Sequence, residues 1–176
     1  MTASQPFTTA LISSNMKMFK YCWVWEKQQP TGFLNARRFP LRAHEDIVVF
    51  CNGTHTYNPQ GLKSVTVKSS RKNKSGNGCY GSVDAKDYTQ KEGNFPRSVI
   101  KVSRVTHKQV HPTQKPVALL EYLIKTYTNE ETVLDFTMST TAIACMNTNR
   151  NFIFELDEYW NIANNRITEH TKQSEK

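Results

Sequence analysis

The sequence predicts an α/β fold, and three features of its last third carry that prediction. Val117, Leu120, Ile124 and Tyr127, with Leu119 and Leu123 beside them, recur at helical spacing behind Pro116, a residue suited to a first turn. Residues 132–136 (TVLDF) and 151–156 (NFIFEL) are short β-branched and aromatic runs that read as strands. Residues 139–146 (STTAIACM) between them, and the stripe Tyr159, Ile162, Ala163, Arg166 and Ile167 after them, read as helices. Strand, helix, strand, helix in that order implies parallel strands joined by a right-handed crossover.

The elements before this region follow in order. Residues 7–18 mix small, polar and apolar residues in a way that suits a short helix after Ser4 and Pro6. Residues 19–27 (FKYCWVWEK) repeat aromatic and β-branched residues near period two, and 46–51 (DIVVFC) is a near-continuous apolar run; both read as strands. Between them, 28–44 carries Pro30, Gly32, Arg37, Arg38, Pro40 and Arg42, an exposed basic connection with aromatics beside it. Residues 53–93 are punctuated by Gly61, Gly76, Gly78 and Gly81 and bear Lys63, Lys68, Arg71, Lys72, Lys74 and Lys86. They read as a solvated insertion, the least core-like part of the chain. Residues 98–105 (SVIKVSRV) alternate apolar and basic side chains, as an edge or half-buried strand does. At 176 residues the chain is expected to form a single globular unit.

Charge and cysteine usage bound the function classes. Lys and Arg number 23 against 15 Asp and Glu, a net +8 with pI near 9.4, so the summed field attracts polyanions and nucleic acid leads as partner class. A solubilising lysine surface would give the same charge, which therefore does not decide the matter. Cys22, Cys51, Cys79 and Cys145 form no Cys-x-x-Cys pair and have no His at zinc-ligand offsets. That argues against a structural metal and for free thiols in a reducing compartment. No apolar run approaches the roughly 20 residues of a membrane span, and no basic stretch followed by an apolar one opens the chain, so the expected location is cytoplasmic.

In open parallel sheets, ligands sit at the carboxyl ends of strands beside the following helix starts. Two such places are visible: residues 135–141 (DFTMSTT), and Glu155-Leu156-Asp157, where an acid can accept from both hydroxyls of a ribose. Taken alone, an acid at a strand end is more often a solvated surface residue than a ligand-binding one.

The context is the run HPTQKP at residues 111–116, followed by VALLEYLI, by VLD with a threonine-rich turn, and by RNFI and ELDEYxxIAxxRI. This order resembles the amino-methylating DNA methyltransferases in which the catalytic motif and target-recognition region precede the cofactor motifs. Trp25-Glu26-Lys27, Gly32-Phe33 and His44-Glu45-Asp46-Ile47 are similar to the strands that follow the catalytic motif there. The resemblance implies a Rossmann-like methyltransferase sheet, incomplete, with a basic target-recognition insertion. Residues 1–52 would be the remainder of the catalytic half, 53–105 the target-recognition region and 106–176 the cofactor-binding half. It implies S-adenosylmethionine as cofactor and double-stranded DNA as partner, adenine N6 being favoured over cytosine N4 as target. His111, Pro112, Thr113, Gln114 and Lys115 would line the methionine side of the cofactor. Asp135, Phe136, Ser139 and Thr140 would lie near its amino acid and adenosine parts, and Glu155 would hold the ribose. Lys63, Lys68, Arg71 and Lys72, with Arg37 and Arg38 of the basic connection, would contact DNA.

Two departures qualify the implied activity. Chemistry on a base needs a flipped nucleotide, a stacking surface and acceptors for the amino protons. The family supplies these with Asp/Asn/Ser-Pro-Pro-Tyr or Phe, a tetrapeptide absent from these 176 residues. It lies in the family upstream of the segment corresponding to Thr2–Pro6. The chain alone is therefore expected not to turn over, the catalytic segment coming from a second chain or from a longer reading of the gene, or the protein acting as a homodimer. Secondly, no glycine follows Gly93, although the family places one in the turn of residues 137–141 and another before the acid at Glu155, where a cofactor approaches backbone. A shortened turn would displace donors beyond the roughly 0.5 Å tolerance of a working site. The alternative is a non-catalytic DNA-binding remnant whose salt-dependent affinity survives.

Overall fold

A computed structural model of the chain describes residues 1–69, 88–103, 114–129, 131–135, 139–154 and 160–174. In chain order its elements are β1 (Thr2–Ala3), α1 (Phe7–Ser14), β2 (Phe19–Thr31), β3 (Arg42–Phe50), β4 (Lys63–Ser69), β5 (Tyr88–Gly93), β6 (Val99–Lys101), α2 (Val117–Tyr127), β7 (Thr132–Asp135), α3 (Ser139–Asn147), β8 (Asn151–Phe154) and α4 (Trp160–Ser174). A short 3₁₀ turn spans Phe33–Asn35. Instead of the single unit expected, there are two: Met1–Asn58 with Arg97–Lys176, and Pro59–Pro96.

In the first unit, aromatic alternation along β2 turns Trp23 and Trp25 to one face, where they are buried with Ile47, Ile100 and Leu119. β3 pairs antiparallel with β2 (Trp23 opposite Ile47, Trp25 opposite Glu45), and β1 extends the far side of β3. β6 runs parallel to β2, with Trp25 opposite Ile100, giving the order β1-β3-β2-β6. β2 and β3 reach further than their apolar runs suggest, because past an irregularity Thr31 still pairs with Arg42. α1 stops at Ser14 rather than near residue 18. Asn15 leaves the helical region, and its side-chain oxygen accepts from the Met18 amide at 3.3 Å, a local bond that competes with continuing the helix.

α2 is buried on two sides rather than along one stripe. Leu119, Tyr122, Leu123 and Tyr127 pack on the four-stranded sheet, whereas Val117, Leu120 and Ile124 join Ala144, Cys145, Val133 and Phe152 in a second core. Tyr127 thus leaves the Val117–Ile124 stripe with which its spacing groups it. β7 and β8 pair in parallel register, Val133 with Phe152, Leu134 with Ile153 and Asp135 with Phe154, as the strand-helix-strand order predicts. One face of this pair meets α2 and α3. On the other, Leu134 and Ile153 are 55% and 60% exposed.

Hydrogen bonds fix α2 at its carboxyl end. The Asn58 amide donates to Thr126 O at 2.7 Å, and its side chain donates to Lys125 O, Thr128 O and Asn129 Oδ1. The buried Trp23 indole, a donor only, gives its proton to the Tyr127 hydroxyl. Tyr127 lies 3.0 Å from the Tyr21 hydroxyl, which is 3.1 Å from His55 Nε2. Burial, and then the bond to Tyr21, push the Tyr127 phenol well above its ordinary range, so it stays protonated.

In the second unit, β4 and β5 pair antiparallel from Lys63–Gly93 to Ser69–Tyr88. Composition reads this stretch as a solvated insertion. The described flanks are instead strands, because Val65-Thr66-Val67 supplies the β-branched residues that a pleated surface favours. Gly93 faces Val65 so closely that a Cβ would sit 3.2 Å from Val65 Cγ1.

Tyr127→Phe removes the acceptor of the buried Trp23 N–H. It is expected to cost about 1–3 kcal/mol, read as a lowered urea midpoint by tryptophan fluorescence with an unchanged slope.

Candidate functional site

Because β7 and β8 are parallel, their carboxyl ends coincide, and Asp135 closes one beside Phe154 on the other. The first turn of α3 folds over this end. Thr141 Oγ1 donates a short hydrogen bond to the Asp135 carboxylate, and the buried Thr140 hydroxyl accepts from Arg166 Nη1 of α4 at 3.2 Å. Thr140 is 1% exposed, so its side chain is turned into the protein. Burial pulls the Arg166 guanidinium below its ordinary value. Burial, and then the nearby Asp135 carboxylate, push the Cys145 thiol up to about 11, so at neutral pH it is a protonated core residue and not a nucleophile. Cys22 and Cys51 are free thiols as well.

The segment entering α2 is anchored on the larger sheet. Lys115 Nζ lies 3.1 Å from one Glu45 oxygen and 5.9 Å from the centre of the Trp25 ring, while Lys27 Nζ is 2.8 Å from the other Glu45 oxygen. Burial raises the Glu45 pKa, but the hydrogen bonds and charges of Lys27 and Lys115 outweigh it, and the carboxyl is held below its ordinary value. Gln114, beside Lys115, is buried at 9% exposure. α2 is followed within a few residues by β7, whose Val133 packs back against α2, so the start of α2 and the Asp135 end of β7 face the same way.

Of the residues singled out in the sequence, Gln114 and Lys115 therefore stand at the entry to α2, Asp135 at the strand end, and Ser139 and Thr140 in the first turn of α3. Arg37 and Arg38 lie on the exposed β2–β3 connection, lining an open hollow of about 710 Å³ with Phe33, Leu34, Asn35 and Ala36. Lys63 and Lys68 are exposed on β4 of the second unit. His111, Pro112, Thr113, Phe136, Glu155, Arg71 and Lys72 lie outside the described residues. Sequence reasoning missed Glu45 as the hub of two lysines and Asn58 as the lock on α2. Neither has a local signature, since Asn58 acts on residues 67 or more positions away.

A family model described as DNA methylase, of the N6/N4 type, matches residues 7–165. The chain belongs to the N6/N4 DNA methylase family. This methylase chain is also similar to two solved structures, and the likeness establishes its fold as an incomplete Rossmann-like α/β sheet. The crystal structure of an M1.HpyAVI–SAM complex matches at 24% identity and TM-score 0.60, covering 94% of this chain and 72% of that one. The crystal structure of M1.HpyAVI alone matches at 21% and 0.59, covering 94% and 70%. Among curated proteins, none matches the methylase chain. No helix among its described residues is long and apolar enough to cross a membrane.

Glu45→Gln leaves Lys27 and Lys115 facing a neutral amide. Because the folded carboxyl is depressed, its stabilisation is present above the ordinary value of 4.5 and is lost as pH falls through the lowered one. The variant is expected to be less stable than wild type by on the order of 2 kcal/mol at pH 7. The gap closes in acid below pH 4.5, as followed by urea denaturation at several pH values.

Proposed function

We propose that this chain provides the cofactor-binding and target-recognition parts of an S-adenosylmethionine-dependent DNA methyltransferase that modifies a base amino group, adenine N6 in preference to cytosine N4. The observation that carries the reading is a family match spanning the strand ends where Asp135 and the β8 terminus meet, the position at which parallel sheets bind ligands. The preference for adenine rests on the resemblance in motif order alone.

The donor set fits the cofactor. Adenosylmethionine presents an ammonium, a carboxylate, a ribose diol and a sulfonium; when bound, it supplies an electrophilic methyl group. Asp135, half-buried with its carboxylate oriented by Thr141, suits the ammonium. Gln114 and Lys115, with His111, Pro112 and Thr113 before them, would border the methionine part. Phe136 and Ser139 would border the adenosine, with the inward Thr140 supporting the turn. Glu155 would accept from the ribose hydroxyls. The Lys27–Glu45–Lys115 clamp holds the Gln114 segment in place, which limits the ordering cost of binding. Arg37, Arg38, Lys63, Lys68, Arg71 and Lys72 would neutralise DNA phosphates.

With no Pro-Pro-Tyr or Pro-Pro-Phe motif among these 176 residues, they are expected not to transfer a methyl group alone, and the catalytic segment would come from another chain or from further sequence of the same protein. The exposed Leu134–Ile153 pair supports a further segment packing there, from either source, because parallel strands are normally covered on both faces. One observation favours a second reading, a DNA-binding remnant without cofactor: the absence of any glycine after Gly93.

Calorimetric titration of the folded chain with S-adenosylmethionine separates the two. Saturable binding, weakened about tenfold or more by Glu155→Ala and by Asp135→Asn, is the expected result. No heat at high cofactor concentration, from a chain that still binds duplex DNA with a steep salt dependence, would establish the remnant instead.

A further inference from the structure

The connection between β2 and β3 presents to solvent what a folded surface usually hides. Leu34 is 100% exposed, Phe33 81% and Phe39 66%, with Leu41 at 37%. Clustered apolar exposure of this kind marks an interaction surface. Its surroundings select the partner: from Lys27 to His44 there is no acidic residue, while Arg37, Arg38 and Arg42 stand beside the apolar side chains. None of the three arginines is in an ion pair among the described residues. Large apolar groups flanked only by guanidinium match one chemistry well, the stacked bases of DNA between their phosphates.

The loop is shaped in advance. Gly32 takes φ +93°, open to glycine without strain, and starts the 3₁₀ turn. The amides of Asn35, Ala36, Arg38 and Phe39 then donate to Gly32 O, Phe33 O, Asn35 O and Asn35 O at 2.8–3.0 Å. A tip fixed by its own backbone loses little freedom on insertion. The pairing of Thr31 with Arg42 closes its neck. Because β2 and β6 are parallel, that neck rises from the carboxyl ends of both, the end at which Lys115 is tied to Glu45, three residues from Arg42.

We infer that Phe33, Leu34 and Phe39 form a wedge that enters the base stack of duplex DNA beside the nucleotide to be modified, while Arg37, Arg38 and Arg42 hold the flanking phosphates. The inference rests on the DNA methyltransferase reading and adds to it a means of opening the duplex. Extruding a base leaves a gap and costs stacking, and an apolar side chain filling that gap offsets part of the cost.

The test measures affinity of the full chain, by fluorescence anisotropy, for two duplexes of equal length, one fully paired and one with a central abasic position where unstacking is already done. Wild type is expected to bind the abasic duplex about tenfold tighter. Phe33→Ala with Leu34→Ala is expected to bring that ratio near one and leave the salt slope on paired DNA unchanged. Arg37→Ala with Arg38→Ala is expected to weaken both duplexes alike and flatten the slope by roughly 2. An unchanged urea midpoint checks that the exposed substitutions leave the fold intact. DNA binding with no preference for the abasic duplex, or a preference that survives the apolar double variant, overturns the wedge and leaves the DNA reading standing. Conversion of a dimer to a monomer by that variant, with the duplex ratio unchanged, assigns the loop to self-association and also overturns it. Failure to bind either duplex removes both the wedge and the DNA reading.

Discussion

The first unit depends on the burial of α2 from two sides. An 11-residue helix gains little from its own hydrogen bonds in water, so its stability comes from packing. Here one stripe lies against the tryptophans of β2 and the other against β7, β8 and α3. Leu119 and Thr126 are fully buried, and the Thr126 hydroxyl, which would be costly without a partner, donates back to Tyr122 O at 2.7 Å. Two small sheets, one of four strands and one of two, are in this way built into one unit by a single helix.

The same helix organises the chemistry. Its entry carries Gln114 and Lys115, and its exit leads within a few residues to β7 and Asp135. Lys115 is held by Glu45 from β3, so the clamp on the larger sheet fixes where α2 begins, and α2 in turn fixes where β7 ends. Asn58 and Arg150 secure the turn between them. Arg150 donates from Nε to Thr128 Oγ1 at 3.0 Å and from Nη2 to Thr128 O at 3.2 Å. Polar contacts of this kind contribute modestly one by one, but they define the register in which two distant parts of the sequence meet.

The elements legible in the sequence were those with a strong period. Trp23 and Trp25 alternate, Val133 and Phe152 sit in short β-branched or aromatic runs, and α3 and α4 follow their strands in the order that demands parallel pairing. Ends were less legible, since Asn15 stops α1 by a local side-chain bond and Thr31 extends β2 only because Arg42 is opposite. The β4–β5 pair was hidden by composition: lysine and glycine dominate the stretch, and pairing is a property of two segments about 25 residues apart. Candidate residues next to strand ends, such as Asp135, could be named from motif order, but the inward turn of Thr140 toward Arg166 could not.

The sequence by itself determined the α/β class, the parallel pair β7–β8, the basic character of the chain and, through the HPTQKP run and its neighbours, the family. These are properties of period, composition and local order, which act over a few residues at a time. The tertiary structure alone decided that α2 serves two cores and that Glu45 pairs with two lysines 70 and 18 positions away. Burial and charge pairing depend on which distant segments share space, and a linear pattern carries no record of that until the chain has packed.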